Sequence, residues 1–135
     1  MAAPAARQEF GTGEWMMTLE EIQQFFRYSD DVDREKLREW LHPDLLLTAI
    51  NVGLEKPLNL EEYLDFIEHM KTYHADRGEA TKHIPTNVLI EGDLIAISGH
   101  VLHSYPGKAD EYSTYFDFWK LRDGKVVEYN IAHDL

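Results

Sequence analysis

Apolar residues recur every three or four positions through the first half of the chain and on alternate positions through the second, which predicts helices followed by strands. Thr18-Leu19-Glu20-Glu21 has the form of a capping box, and Leu19, Ile22, Phe25 and Phe26 share the helical face behind it. A first helix is expected to about Tyr28. Asp33 can cap a second, whose stripe of Leu37, Trp40 and Leu41 ends at Pro43. Leu45 to Ile50 is an apolar run of strand length, and Asn51 to Asn59, with Gly53 and Pro57, reads as a loop. Asn59 opens a third helix on Leu60, Tyr63, Leu64, Ile67 and Met70, which fades near Asp76 to Gly78.

Four strands are expected next: Thr81 to Ile90, Leu94 to Tyr105, Glu111 to Leu121 and Lys125 to Ala132, joined by Glu91-Gly92-Asp93, Pro106 to Asp110 and Arg122-Asp123-Gly124. Three helices followed by an antiparallel meander give an α+β fold with the helices gathered on one face of the sheet. Strands of this length twist and curl, so the sheet should form a cone around the N-terminal helices. A hollow on its concave side, apolar with a few polar groups, is where a small molecule would bind.

Composition narrows the function. At 135 residues the chain has the size of one domain, and it reads as a flexible tail over 1–14 and a single domain over 15–135. A content of 44% hydrophobic residues suffices for a packed core. The net charge of -12 would repel a phosphate backbone, so no nucleic acid partner is expected. No apolar stretch approaches the roughly 20 residues of a membrane span, so no membrane partner is expected either. The absence of cysteine suits the cytoplasm and removes thiolate chemistry. Phosphate loops, zinc motifs and nucleophile elbows are missing, so neither a cofactor nor a metal is expected. His69 and His74 are only loosely spaced for a shared metal ligand set.

What remains is a set of scattered polar side chains, among them seven histidines. Histidine is the residue best suited to moving protons near neutral pH. His83, at the start of the first long strand, faces away from Ile84; it is either a site residue or a partly exposed edge histidine. His100 and His103 must point to opposite faces, so at most one enters a pocket. Asp33 suits a cap, whereas Asp30 can turn towards the sheet and orient a histidine. Asp117 is either a site residue or lies at an exposed rim, because burial without a partner would cost several kcal/mol. His42, His69 and His74 are assigned no role.

Three stretches carry a resemblance. They are Tyr28-Ser29-Asp30-Asp31-Val32-Asp33 with Leu41-His42-Pro43-Asp44, then Thr81-Lys82-His83-Ile84-Pro85-Thr86-Asn87 with Glu91-Gly92-Asp93, then Phe116-Asp117-Phe118-Trp119-Lys120 with Asp123-Gly124-Lys125-Val126-Val127-Glu128. In that order the chain resembles the SnoaL-like polyketide cyclase branch of the nuclear transport factor two superfamily, which includes scytalone dehydratase. The resemblance implies that Asp30 and His83 act as a pair, that Ser113 and Tyr115 are polar pocket residues, and that His100 stands on the same wall. Ile131, beside Asn130, stands where many relatives carry an acid. The dehydratase's substrate-polarising tyrosine corresponds to Ser29 or Ala49, with Tyr28 adjacent.

Two classes of function follow. In one, the chain is a cofactor-independent lyase, isomerase or cyclase of secondary metabolism. Its His83, oriented by Asp30, takes a proton beside a carbonyl of a small apolar substrate bearing a carbonyl or hydroxyl. In the other it is a module of the same fold that binds a ligand or partner without chemistry. Tyr112, Phe116 and Phe118 on one strand face, together with the resemblance, imply a homodimer through the convex side of the sheet.

Overall fold

A computed structural model describes residues 8–9, 15–51 and 54–133. The expected tail over 1–14 falls largely outside them, although strand β1 (Gln8–Glu9) pairs antiparallel with β2 (Trp15–Met16). Helix α1 (Leu19–Asp31) starts on its capping box: the Glu21 amide donates to the Thr18 hydroxyl at 3.2 Å and the Thr18 amide donates to the Glu21 carboxylate at 3.0 Å. It runs past Tyr28 and stops only at Val32, which takes a left-handed conformation at φ 52° and closes the last turn. No glycine marks that stop. The extra residues place Asp30 in the last turn of the helix and not in a loop.

Helix α2 (Arg34–Trp40) is capped by Asp33, whose carboxylate accepts from the Lys36 amide at 3.1 Å. Strand β3 (Leu41–Ala49) follows at once and tolerates Pro43 because it lies at the sheet edge with its register interrupted between Leu41 and Leu46. Helix α3 (Leu60–Ala75) begins on a second capping box, between Asn59 and Glu62. Arg34 and Arg38 of α2 reach the carboxylates of Glu61, Asp65 and Glu68 on α3, fastening the two helices at the surface.

Strands β4 (Ala80–Glu91), β5 (Leu94–Ser104), β6 (Glu111–Arg122) and β7 (Lys125–His133) form the antiparallel meander. The five-stranded sheet has the order β3-β7-β6-β5-β4, with β3 parallel to β7. The β6–β7 turn is a two-residue loop, Asp123-Gly124, with both residues at positive φ, as the Asp-Gly pair favours.

The curved sheet closes over α1. Phe25, Phe26, Trp40, Trp119 and Tyr129 interlock there with ring separations from 4.9 to 6.2 Å. The concave side expected to be hollow is therefore solid at this level. Its polar residues stand nearer the end formed by the start of β4 and the end of β7, where His83, His103, Ser113 and His133 are half-buried.

One irregularity sets which residues face inward. The β4–β5 register slips between Pro85 and Asn87, leaving Thr86 without a partner as a β-bulge. Before it His83 pairs with Val101, and after it Val88 and Ile90 pair with Ile97 and Ile95. Val101, Ile97 and Ile95 are all buried in the core, so the inward set changes from odd to even numbers at Thr86. Without the bulge His83 would share the outward face of Leu89.

Candidate functional site

Asp30 and His83 meet. The His83 ring Nδ1 lies 2.7 Å from Asp30 Oδ1, and the His83 backbone amide donates to Asp30 Oδ2 at 2.8 Å. One carboxylate thus holds both the ring and the strand that carries it, and leaves Nε2 as the nitrogen free for chemistry. Phe26 stacks on the same ring at 5.5 Å with 18° between planes, limiting its rotation. A carboxylate near a helix C-terminus sits at the negative end of the dipole, and the last turn of α1 carries no basic residue. The contacts with His83 are what this position offers in return.

Tyr115 stands against the pair, its ring 5.3 Å from that of His83, and it is fully buried. Its hydroxyl has no hydrogen-bond partner among the described residues, and burial together with Asp117 and Asp30 pushes its pKa up. Ser113, on the same face of β6, bonds to His103 Nε2 at 2.9 Å. His103 is therefore the member of the His100/His103 pair that faces inward. His100 is exposed on the convex face beside Tyr112, so its expected place on the pocket wall is corrected: β5 turns alternate residues outward and Val101 takes the inner position.

Asn130 is also corrected. It lies between the inward residues Tyr129 and Ile131, and it donates from the outer face to the Phe118 carbonyl at 3.3 Å. Ile131 does face inward, half-buried. Tyr28 packs against the core, and its side chain makes no hydrogen bond to Asp30 or His83.

Asp117 is not at the rim. It is 5% exposed, pairs across the sheet with Ile131, and accepts a hydrogen bond from the Tyr129 hydroxyl at 2.9 Å through Oδ2. Its Oδ1 has no hydrogen-bond partner among the described residues. Burial pushes the carboxyl up to about 7, against the lowering influence of the Tyr129 bond and of His83. Though Ile131 is apolar, this level of the concave face does carry a carboxyl, one strand away. Behind it the Tyr63 hydroxyl, raised to about 12 chiefly by burial, lies 3.5 Å from Ser29 Oγ.

His133 is a further inward histidine that no motif in the sequence singles out. It ends β7 on the inner face, its ring 6.2 Å from those of both His83 and Tyr115. Its inward orientation follows from the pairing of His133 with Tyr115, which no periodicity in β7 alone reveals. Among the described residues no three histidine or acidic side chains are arranged to hold a metal ion. No helix there is long and apolar enough to cross a membrane.

The SnoaL-like domain family matches residues 22–129. Among solved structures the chain is similar to wild-type IdmH of Streptomyces antibioticus, classed as a candidate polyketide cyclase. The identity is 18%, covering 87% of this chain and 93% of that one, with a TM-score of 0.73. It is similar to an NTF2-like protein of unknown function from Burkholderia pseudomallei at 19% identity, covering 87% and 92%, with a TM-score of 0.61. A third likeness is to an LEH-like epoxide hydrolase of M. tuberculosis at 13% identity, covering 86% and 81%, with a TM-score of 0.65. At such identities the likeness shows the fold. No curated protein sequence matches the chain.

Proposed function

The chain belongs to the SnoaL-like domain family, and on that premise we propose that it is a cofactor-independent enzyme that moves a proton on a small, largely apolar molecule bearing a carbonyl or hydroxyl group. The observation that carries this reading is the double grip of Asp30 on the His83 ring and amide, at 2.7 and 2.8 Å. An ionised Asp30 keeps the proton on Nδ1, and the lone pair of Nε2 takes a proton from carbon next to a carbonyl. The imidazolium so formed stays beside the carboxylate. Tyr115, with its unpartnered hydroxyl, donates to the substrate oxygen as charge builds there. The neighbours of the pair, Phe26, Tyr115 and Ile131, are aromatic or aliphatic, which suits a ring-containing substrate, and loss of water, isomerisation or ring closure are the outcomes such an enolate allows.

The experiment uses 2-tetralone, a fused-ring ketone with acidic C–H bonds, and follows deuterium entry by NMR in heavy water. Wild type should exchange it faster than buffer, and His83→Ala should lose that gain, about 10²-fold or more. In parallel, the Nδ1 proton of His83 should be visible in wild type and absent in Asp30→Asn. A His83→Ala variant that exchanges at the wild-type rate would remove the reading.

The partner proposed with it is a second copy of the chain, docked through the convex face of the sheet.

A further inference from the structure

We propose that His133 is a second working imidazole of the same site, one that binds the substrate oxygen while His83 handles the proton; this rests on the reading of Asp30 and His83 given above. Three rings stand at the corners of a triangle: His83 to Tyr115 at 5.3 Å, Tyr115 to His133 at 6.2 Å, and His83 to His133 at 6.2 Å with the planes at 82°. The two imidazoles are too far apart to bond each other. Neither ring nitrogen of His133 has a hydrogen bond among the described residues, and the buried Tyr115 hydroxyl has none either. Hydrogen bonds of about 3 Å from each ring would bracket a small group of substrate atoms between them.

His133 is held as a site residue is held. The Asn51 carboxamide bonds both of its backbone groups: Oδ1 accepts from the His133 amide at 2.9 Å and Nδ2 donates to the His133 carbonyl. Asn51 is exposed and lies just past β3, so it clasps the end of β7 from the neighbouring edge strand and acts as a positioning residue. The groups that face His133 are His83 from β4, His103 from β5 and Tyr115 from β6, with Asp30 of α1 behind His83. Burial first, then the two histidines, lower its pKa, so it is uncharged at neutral pH and does not oppose the charging of His83.

The division of labour conserves atoms and charge. His83 Nε2 takes the proton from carbon, the C–H electron pair becomes the new C=C bond, and the carbonyl π pair moves to oxygen. His133 donates a hydrogen bond to that oxygen and keeps its proton. Return of a proton or deuteron from His83 restores the ketone. The class of ligand implied is an enolisable ring ketone, or the phenol or enol that mimics it.

The test uses full-length protein with labelled histidines, 2-naphthol as the enol mimic, and 2-tetralone exchange as the activity. 2-Naphthol should shift the ring resonances of both His83 and His133. His133→Phe should slow exchange about 10- to 100-fold while the Nδ1 proton of His83 stays in place, and His133→Gln, which restores a donor, should recover part of the rate. Wild-type exchange in His133→Phe, or 2-naphthol that moves His83 and leaves His133 unmoved, overturns this inference and leaves the Asp30–His83 reading standing. Wild-type protein that neither exchanges 2-tetralone nor responds to 2-naphthol at either ring sinks both.

Discussion

At the scale of single residues, Asp117 shows how burial sets behaviour. Its carboxyl is raised to about 7 because the apolar surroundings cost the charged form more than the Tyr129 hydrogen bond returns. In the unfolded chain the same group ionises near 4. Between those values the folded state holds a proton that the unfolded state has released. The stability contributed is therefore full below about pH 4, declines as pH rises, and is gone above about 7. Asp117→Asn should flatten this slope and stabilise the protein at pH 8 by on the order of 1–3 kcal/mol, because no charge is then buried. Urea unfolding of both proteins at pH 5 and pH 8 measures it. Equal slopes in the two would mean that Asp117 ionises as an exposed carboxylate does.

Much of the candidate site was legible residue by residue. Asp30 and His83 stood out because an extra acid beside a cap and a histidine opening a strand each lack an obvious local task, and the resemblance joined them. Asp117 and His103 stayed open, and His133 was out of reach, for one reason. Each depends on which residue of one strand lies opposite which residue of the next, and local sequence does not encode that register. His100 and Asn130 were misplaced for the same reason.

At the scale of elements, the bulge in β4 does the most for the site. Its apolar residues Ile84, Val88 and Ile90 are all even-numbered, so simple alternation would keep Ile84 inward and turn His83 out. Thr86 breaks the pattern, and Gly99 is what makes room for the break. A Cβ at Gly99 would lie 2.3 Å from the Ile84 carbonyl oxygen and 2.7 Å from Pro85 Cα. Both are backbone atoms and cannot swing aside. Gly99→Ala should cost about 1–3 kcal/mol in a denaturant titration and loosen the contact between His83 and Asp30, visible as loss of the His83 Nδ1 proton. A variant of wild-type stability that keeps this proton would show that the close approach is not needed. The capping box of α1 and the Asn59 start of α3 were plain in the sequence because the partners of each cap lie within three residues. The left-handed Val32, by contrast, carries no composition signal, and α1 was expected to end too soon.

At the scale of the whole molecule, two features of the surface oppose each other. The convex face of the sheet exposes Leu89 at 73%, Tyr112 at 65%, Phe116 at 56% and Phe118 at 45%, and Leu89, Phe116 and Phe118 border a shallow groove of about 440 Å³. A monomer gains nothing from rows of exposed aromatics on a regular sheet, and covering them with a second copy would bury apolar area of the kind that stabilises dimers. The net charge of -12 works the other way, because two copies repel each other. If both effects act, association should tighten as salt screens the repulsion over about 10 Å or less. Sedimentation in 20 mM and 500 mM salt should then show a dimer that strengthens with salt, and a combined Phe116→Glu and Phe118→Glu variant should stay monomeric in both. Asp30 and His83 face the opposite side of the sheet, so this variant should keep its 2-tetralone exchange. A variant that still dimerises would place any self-association elsewhere on the molecule. A monomeric variant without exchange would instead tie the geometry of the concave site to the neighbour covering its back.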